Sequence, residues 1–328
     1  MKIILNENTN LAFNMAAEVY LMENFDDDIF MLWRASASVL IGKNQNTYEE
    51  IHLDYVKEHK IDVVRRKSGG GTVFCDLGNT NFAFITSDTK AFSDFSRFTQ
   101  PIIQVLNNLG VPAEFSGRND LTIEGKKFSG NAQYKQGNRL LHHGTLLFDA
   151  DLSQLAKAIH PGKIKLQSKG INSVRSRVTN IAPYLKQSID IIEFRQMINN
   201  HIFQSVEGAE YYQFTTDDLR QIESIQAKIF DNWDWNYGRS PKFEGKHTKR
   251  FSGGTVSLGF NVAKGLIEDL EFTGDFFSKK NVDDILPLFI GQAYDHNSLM
   301  DVLLSIDLDD YFTNITADEL CSLFFQGD

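Results

Sequence analysis

Val63 to Ile85 reads VVRRKSGGGTVFCDLGNTNFAFI, and the rest of the chain is best read outward from it. Val63-Val64 and Phe82-Ala83-Phe84-Ile85 look like the ends of two strands. Between them stand Arg65, Arg66, Lys67, Ser68 and the glycines 69, 70 and 71. Three adjacent glycines weaken both helix and strand, so a close approach to the backbone is the natural reason for them. Without a Cβ, successive N–H groups can face an anion, and the two arginines add forked donors suited to carboxylate or phosphate. The plainer alternative is a glycine-rich hairpin with a solvated basic turn.

Composition narrows the function classes. The chain has 328 residues, enough for two domains, with 42% hydrophobic and 23% charged residues, an ordinary globular balance. A net charge of -10 argues against general nucleic-acid binding. Cys75 and Cys321 are too few and too far apart for a disulfide framework, and no Cys/His spacing suggests a metal site. The opening MKIILNENTN is too weakly apolar for a signal peptide, and no run approaches a membrane span. The expectation is a reduced, cytoplasmic setting with no membrane and no nucleic-acid partner.

Taken in order, Lys2 to Leu5 predicts a first strand, and Leu11, Met15, Val19 and Met22 a helix capped by Asn10. Ile29 to Trp33 and Val39 to Ile41 read as strands. Thr47 with Glu50 reads as a capping box opening a helix to about Lys60. Phe95 to Leu109 is helical, with Pro101 either kinking it or marking its start. Leu121 to Ile123 and Leu146 to Phe148 read as strands, and Leu152 to His160, Asp190 to Ser205 and Thr216 to Ile229 as helices. The polar run Tyr237 to Lys249 reads as a linker, placing a boundary between residues 1–245 and 246–328. A hairpin about Lys264-Gly265 and a last helix opened by Thr316 and Glu319 follow.

The glycine run fits neither the P-loop nor the dinucleotide pattern, because no Gly-Lys-Ser/Thr follows and Phe74 stands where the last glycine belongs. Lys126-Lys127-Phe128-Ser129-Gly130 could bring an ammonium to developing charge, or be a solvated hairpin. Asn119 and Asp120 could bind a base, a ribose or a metal, or cap their own turn. His142-His143 fits internal hydrogen bonding better than a catalytic base, and Cys75 fits a packed residue better than a nucleophile. No acid falls between Asp151 and Asp190, where Lys157, Lys163, Lys165, Lys169, Arg175, Arg177 and Lys186 lie. That segment reads as a surface patch or as a dock for an acidic protein or a phosphate-bearing ligand.

Arg65 to Phe74 followed by Asp76-Leu-Gly-Asn-Thr-Asn81 resembles the signature of lipoate–protein ligases. Further blocks stand in family order: Asn10 to Asn14 with Glu18, Ile41 to Asn46, Ser116 to Asp120, Lys127 to Gly130, His142 to Thr145, Lys169 to Asn180 and Trp233 to Gly238. The end of the chain resembles the accessory domain of the long form. Cys75 departs from the pattern, where many members carry histidine.

The resemblance implies an α/β (α+β) fold: a mixed, largely antiparallel sheet with flanking helices, akin to biotin ligases and class II aminoacyl-tRNA synthetases, plus a small C-terminal α/β domain. It implies that ATP, with Mg²⁺, activates lipoate as lipoyl-AMP, and that the acyl group passes to a lysine of a lipoyl carrier domain. The carriers would be the E2 subunits of 2-oxoacid dehydrogenases and the glycine cleavage H protein. Lys127 matches the active-site lysine. Arg66, Gly71, Thr72, Val73, Phe74, Asn119 and Asp120 would join it around the nucleotide, with Asp120 the metal ligand. Trp33, Arg65, Ser68, Gly70, Asn79 and Lys127 would bind lipoate, with the Leu11 helix beside the slot. An ATP-independent transferase using a cysteine thioester, and a non-catalytic lipoate or biotin binder, are the competing readings.

Overall fold

The computed structural model describes residues 1–117, 119–159, 178–238, 243 and 245–325. The expected helix end at His160, the basic residues from Lys163 to Arg177 and the block from Lys169 to Arg177 lie outside the described residues, as does Arg118.

Strands β1 (Lys2–Leu5) and β2 (Ile29–Trp33) form the start of the main sheet. Strands β3 (Ser38–Ile41), β4 (Asp62–Arg65) and β5 (Val73–Cys75) form a separate small sheet ordered β4-β3-β5. The main sheet is completed by β6 (Asn79–Thr86), β7 (Ala113–Ser116), β8 (Asp120–Ile123), β9 (Lys126–Gln136), β10 (Arg139–Leu147) and β11 (Glu210–Gln213). Its order is β11-β1-β2-β6-β10-β9-β8-β7. Only the β11–β1 and β1–β2 pairs are parallel. The sheet is therefore mixed and largely antiparallel, as the motifs led us to expect.

The two apolar runs of the opening stretch fall in different sheets, Val63-Val64 in β4 and Phe82 to Ile85 in β6. Between them β5 returns beside β3, so the glycines form the β4–β5 connection across the end of the small sheet. That strand is only three residues long, too short to announce itself by alternation.

Helix α1 (Leu11–Asn24) is buried on nearly every face, and Asn10 caps it by accepting from Phe13 N–H at 2.8 Å. It packs with Met31, Trp33, Leu40, Val64 and Cys75 in one core. The opposite face of the main sheet packs Phe30, Phe82 and Phe128 against α4 (Phe95–Asn108) and the helix Ile191–Ser205. Pro101 lies inside α4, which starts at Phe95 with Asp94 as cap.

Thr47 is not a cap. Asn46 caps the four-residue helix Thr47–Glu50, and a second short helix covers Leu53–Glu58. The Thr47 hydroxyl instead donates to Asn236 O at 2.6 Å and accepts from Arg65 Nη2 at 2.7 Å. A long-range partnership of that kind outweighs the local capping pattern.

The C-terminal sheet is β12 (Gly245–Phe251), β13 (Gly254–Ala263) and β14 (Leu266–Gly274), all antiparallel. The stretch read as linker thus holds a strand, whose alternation is hidden by polar side chains on a half-exposed edge. Lys264 and Gly265 turn the hairpin with positive φ values of 54° and 78°. Helices including His296–Leu304 and Ala317–Phe324 close a separate core of Val256, Leu258, Phe272, Phe289, Phe312 and Phe324. This lobe touches the first one at defined points. Gly274 N–H donates to Asn44 O at 2.7 Å, Lys246 pairs with Glu49, and the Phe277 ring lies 5.5 Å from that of Phe95.

Candidate active site

A cleft of about 250 Å³ opens where the glycine loop meets β9 and β10. Trp33, Arg66, Gly70, Gly71, Thr72, Val73, Asn119, Asp120 and Lys127 all line it, so these expected site residues converge from distant parts of the chain. Leu40, Asn81, Asn131, His143, Arg250 and Asp275 line it as well, and none of them is among the expected ligand-binding residues.

The loop is fixed from beneath. Arg66 is 5% exposed; its Nε donates to Ser68 Oγ, Nη1 to Leu40 O, and Nη2 to Gly69 O and Gly71 O, all within 3.2 Å. Burial lowers its pKa to about 10, which leaves it charged at neutral pH. Gly70 has φ +89°, and a Cβ there would sit 3.1 Å from Arg66 Nη2 and 3.2 Å from the Phe277 ring. A side chain at that position would be strained by the backbone and crowded by both neighbours. Thr72 Oγ1 donates to Gln45 Oε1 at 2.9 Å, tying the loop's far end to the segment between β3 and the Thr47–Glu50 helix.

A buried chain of hydrogen bonds runs behind the cleft. Trp33 Nε1–H donates to Glu18 Oε1 at 3.1 Å, His143 Nδ1 lies 2.8 Å from Glu18 Oε2, and His143 Nε2 lies 2.6 Å from Ser68 Oγ. Glu18 and Ser68 are almost wholly buried, so each polar atom needs the partner it has. His142, one residue earlier, points to the other face and stacks on Phe98 at 4.8 Å; burial holds its pKa well below the usual value.

Lys127 enters from β9, and its Nζ lies 2.7 Å from Asp120 on β8. A register irregularity between Leu121 and Thr122 sets Asp120 opposite Gly130, not opposite its expected neighbour. A Cβ on Gly130 would meet Lys127 Nζ at 2.9 Å, so a glycine there lets the lysine lie across the strand. Asn119 and Asn131 exchange side-chain amide donors for each other's carbonyls, at 2.6 and 3.1 Å.

Four expected site residues do not line the cleft. Arg65 is fully buried and donates to Trp235 O, Gly42 O, Lys43 O, Gln45 O and Thr47 Oγ1, so its fork braces the fold. Phe74 packs with Val39, Ile41 and Val63. Asn79 is wholly buried and accepts from Asp76 N–H at 3.0 Å, holding the turn that leads into β6. Ser68 sits under the loop, in the chain between Arg66 and His143. Leu11 is also core, not cleft wall. Cys75 is completely buried, and burial pushes its thiol up to about 12.

The sequence model for the lipoyl protein ligase A/B catalytic domain matches residues 10–203, and that for the bacterial lipoate protein ligase C-terminus matches residues 240–324. The chain belongs to the lipoate–protein ligase family. The chain is 44% identical to lipoate-protein ligase LplJ of Bacillus subtilis, covering 99% of this chain and 100% of that one. It is 41% identical to lipoate–protein ligase 1 of Staphylococcus aureus, covering 98% and 99%. Among solved structures, Plasmodium falciparum LipL1 in complex with lipoate superposes with a TM-score of 0.83 at 27% identity, covering 99% of each chain. A bipartite ligase of Thermoplasma acidophilum, described with its E2 lipoyl domain, gives 0.65 at 26% identity, covering 74% and 98%. A lipoate-protein ligase A bound with ATP gives 0.63 at 25%, covering 72% and 98%. The ligase signature here therefore sits on a cleft whose walls are the same blocks that carry the resemblance.

Proposed function

We propose that this ligase activates lipoate with ATP in the Lys127 cleft and passes the lipoyl group to a lysine of a lipoyl domain. In the first step a lipoate carboxylate oxygen bonds to the α-phosphorus of ATP. The bond from that phosphorus to the bridging oxygen breaks, and its electron pair leaves with pyrophosphate. In the second step the carrier's ε-amine bonds to the acyl carbon, AMP leaves with the electron pair of the acyl carbon–oxygen bond of the mixed anhydride, and the amine loses a proton. The carrying observation is the convergence on one cleft of Lys127, the glycine loop braced by Arg66, and the apolar wall of Trp33 and Leu40.

Lys127 bridges the lipoyl carbonyl and the α-phosphate and stabilises the charge that develops in both steps. Gly70 and Gly71 admit the acyl phosphate against bare backbone; nothing lies within 4 Å of where a Gly71 Cβ would be. Trp33 and Leu40 border the lipoyl tail. Asn119 and Asp120 face the nucleotide. Among the described residues no group of three or more His, Cys, Asp or Glu is arranged to hold a metal. Asp120 and Asp275 nevertheless border the same cleft, which suits Mg²⁺ held by one or two carboxylates together with substrate phosphates. Bound there, Mg²⁺ supplies neutralisation of phosphate charge.

The thioester transferase reading needs a thiolate, which Cys75 does not supply from a fully buried site. We place the enzyme in the cytoplasm, acting on E2 and H-protein lipoyl domains; two free thiols and no helix, among the described residues, long and apolar enough to cross a membrane support that setting. The experiment is a pyrophosphate-release assay with ATP and lipoate beside a carrier-to-carrier transfer assay without ATP. Release that depends on both substrates supports the ligase; transfer without ATP contradicts it.

A further inference from the structure

The cleft is completed by the C-terminal lobe. Arg250, near the end of β12, and Asp275, just after β14, border it together with Lys127 and Arg66 from the first lobe. Among the described residues, those three cations are the ones on its walls. Their donor capacity differs sharply. A guanidinium carries five N–H groups. Arg66 commits four of them to Ser68, Leu40, Gly69 and Gly71. Lys127 is paired with Asp120. The Arg250 side chain is 53% exposed, and its contacts are loose: Nη1 to Thr255 Oγ1 at 3.4 Å and to Asp275 Oδ2 at 4.0 Å. Asp275 is itself held in place by accepting from Thr255 N–H, so it steers Arg250 without saturating it.

An isolated arginine–aspartate pair on a surface contributes little to stability and needs no function to exist. What distinguishes this one is its position. The lobes meet through Gly274 N–H to Asn44 O and through Phe277 against Gly70, within a few residues of Asp275. That contact brings a forked, mostly unspent cation to the mouth of a cleft whose other arginine has four of its five donors engaged. Forked donors match phosphate oxygens in pairs.

We propose that Arg250 contacts the β- and γ-phosphates of ATP and serves adenylation but not transfer. The proposal rests on the ligase reading above. As the Pα–O bond breaks, negative charge builds on the departing pyrophosphate, where a positioned guanidinium stabilises it. Lipoyl-AMP has no β- or γ-phosphate, so the second step leaves Arg250 nothing to hold. The accessory lobe thereby supplies a substrate-contacting residue to a site built mainly by the other lobe.

The test uses full-length wild type, Arg250→Ala and Arg250→Lys in two assays on the same preparations. One measures pyrophosphate release from ATP and lipoate; the other measures transfer from synthetic lipoyl-AMP to a purified lipoyl domain. For Arg250→Ala we expect kcat/KM for ATP to fall about ten- to hundred-fold, the effect of losing a hydrogen bond to a charged group. Transfer should be unchanged, which also shows that the variant is folded. Arg250→Lys should recover part of the loss, since it keeps the charge but not the fork. Unchanged adenylation in Arg250→Ala, or a parallel fall in both steps, would overturn the proposal. Failure of the wild type to release pyrophosphate would overturn the ligase reading itself, and this proposal with it.

Discussion

Lys127 Nζ and Asp120 Oδ1 stand 2.7 Å apart across two neighbouring strands, both about 40% exposed. A pair so open to water is worth at most about 1 kcal/mol, so an incoming phosphate can draw the lysine away at little cost. The same exposure makes Asp120 dispensable to the fold. Asp120→Asn should change unfolding free energy by no more than about 0.5 kcal/mol. It should raise KM for ATP, because the proposed site sets this cleft-wall residue against the nucleotide. Denaturant melts beside ATP titrations check this; a large stability loss would make the carboxylate structural.

Arg65 gives the opposite expectation. It is fully buried and braces carbonyls of residues 42, 43, 45 and 235. Arg65→Ala leaves those acceptors without their donor and should cost about 3 kcal/mol or more. Equilibrium unfolding measures it. A variant of wild-type stability that has lost only lipoate affinity would restore the ligand role that the motif suggested.

The Trp33–Glu18–His143–Ser68 chain links the wall of the cleft to the underside of its loop. Glu18→Gln keeps one carbonyl oxygen where two donors need acceptors. KM for lipoate should rise about tenfold, the cost of one lost charged hydrogen bond, while KM for ATP moves less. Equal shifts for both substrates would show that the chain supports the whole site without favouring the lipoyl side.

Cys75 offers a pH test. Its thiol has a value of about 12 in the folded protein, against an ordinary value of 9.0. Above that ordinary value the unfolded chain releases the proton while the folded chain keeps it. The stabilisation is whole below pH 9.0 and is lost as pH rises toward about 12. The difference in unfolding free energy between wild type and Cys75→Ala should therefore shrink by about 1.4 kcal/mol per pH unit in that window. A constant difference would mean that the thiol titrates normally. Native enzyme should also resist alkylation at Cys75.

The sequence was most legible where spacing and chemistry are local. The Asn10 cap, the hairpin at Lys264-Gly265 and the last capping box at Thr316 and Glu319 are all present in the structure. The motif blocks named Lys127, Asn119, Asp120 and the glycine loop, and these meet at one cleft. What could not be read depends on long-range partners. Thr47 looks like a cap but serves Arg65 and Asn236, 18 and 189 residues away. Arg65 and Arg66 are adjacent, yet one faces the fold and the other the cleft, because successive residues leave a strand end on opposite sides. Arg250 stands in a polar run with no motif, and only the packing of the second lobe brings it to the site.

The most direct test of the account is pyrophosphate release by Lys127→Ala, measured with ATP and lipoate at saturating concentrations. Lys127 is partly exposed, so the variant should fold normally. On the proposed mechanism the variant loses the charge that stabilises both attack and departure, and the rate should fall about a hundred-fold or more. Release at the wild-type rate would contradict the assignment of this cleft as the adenylating site.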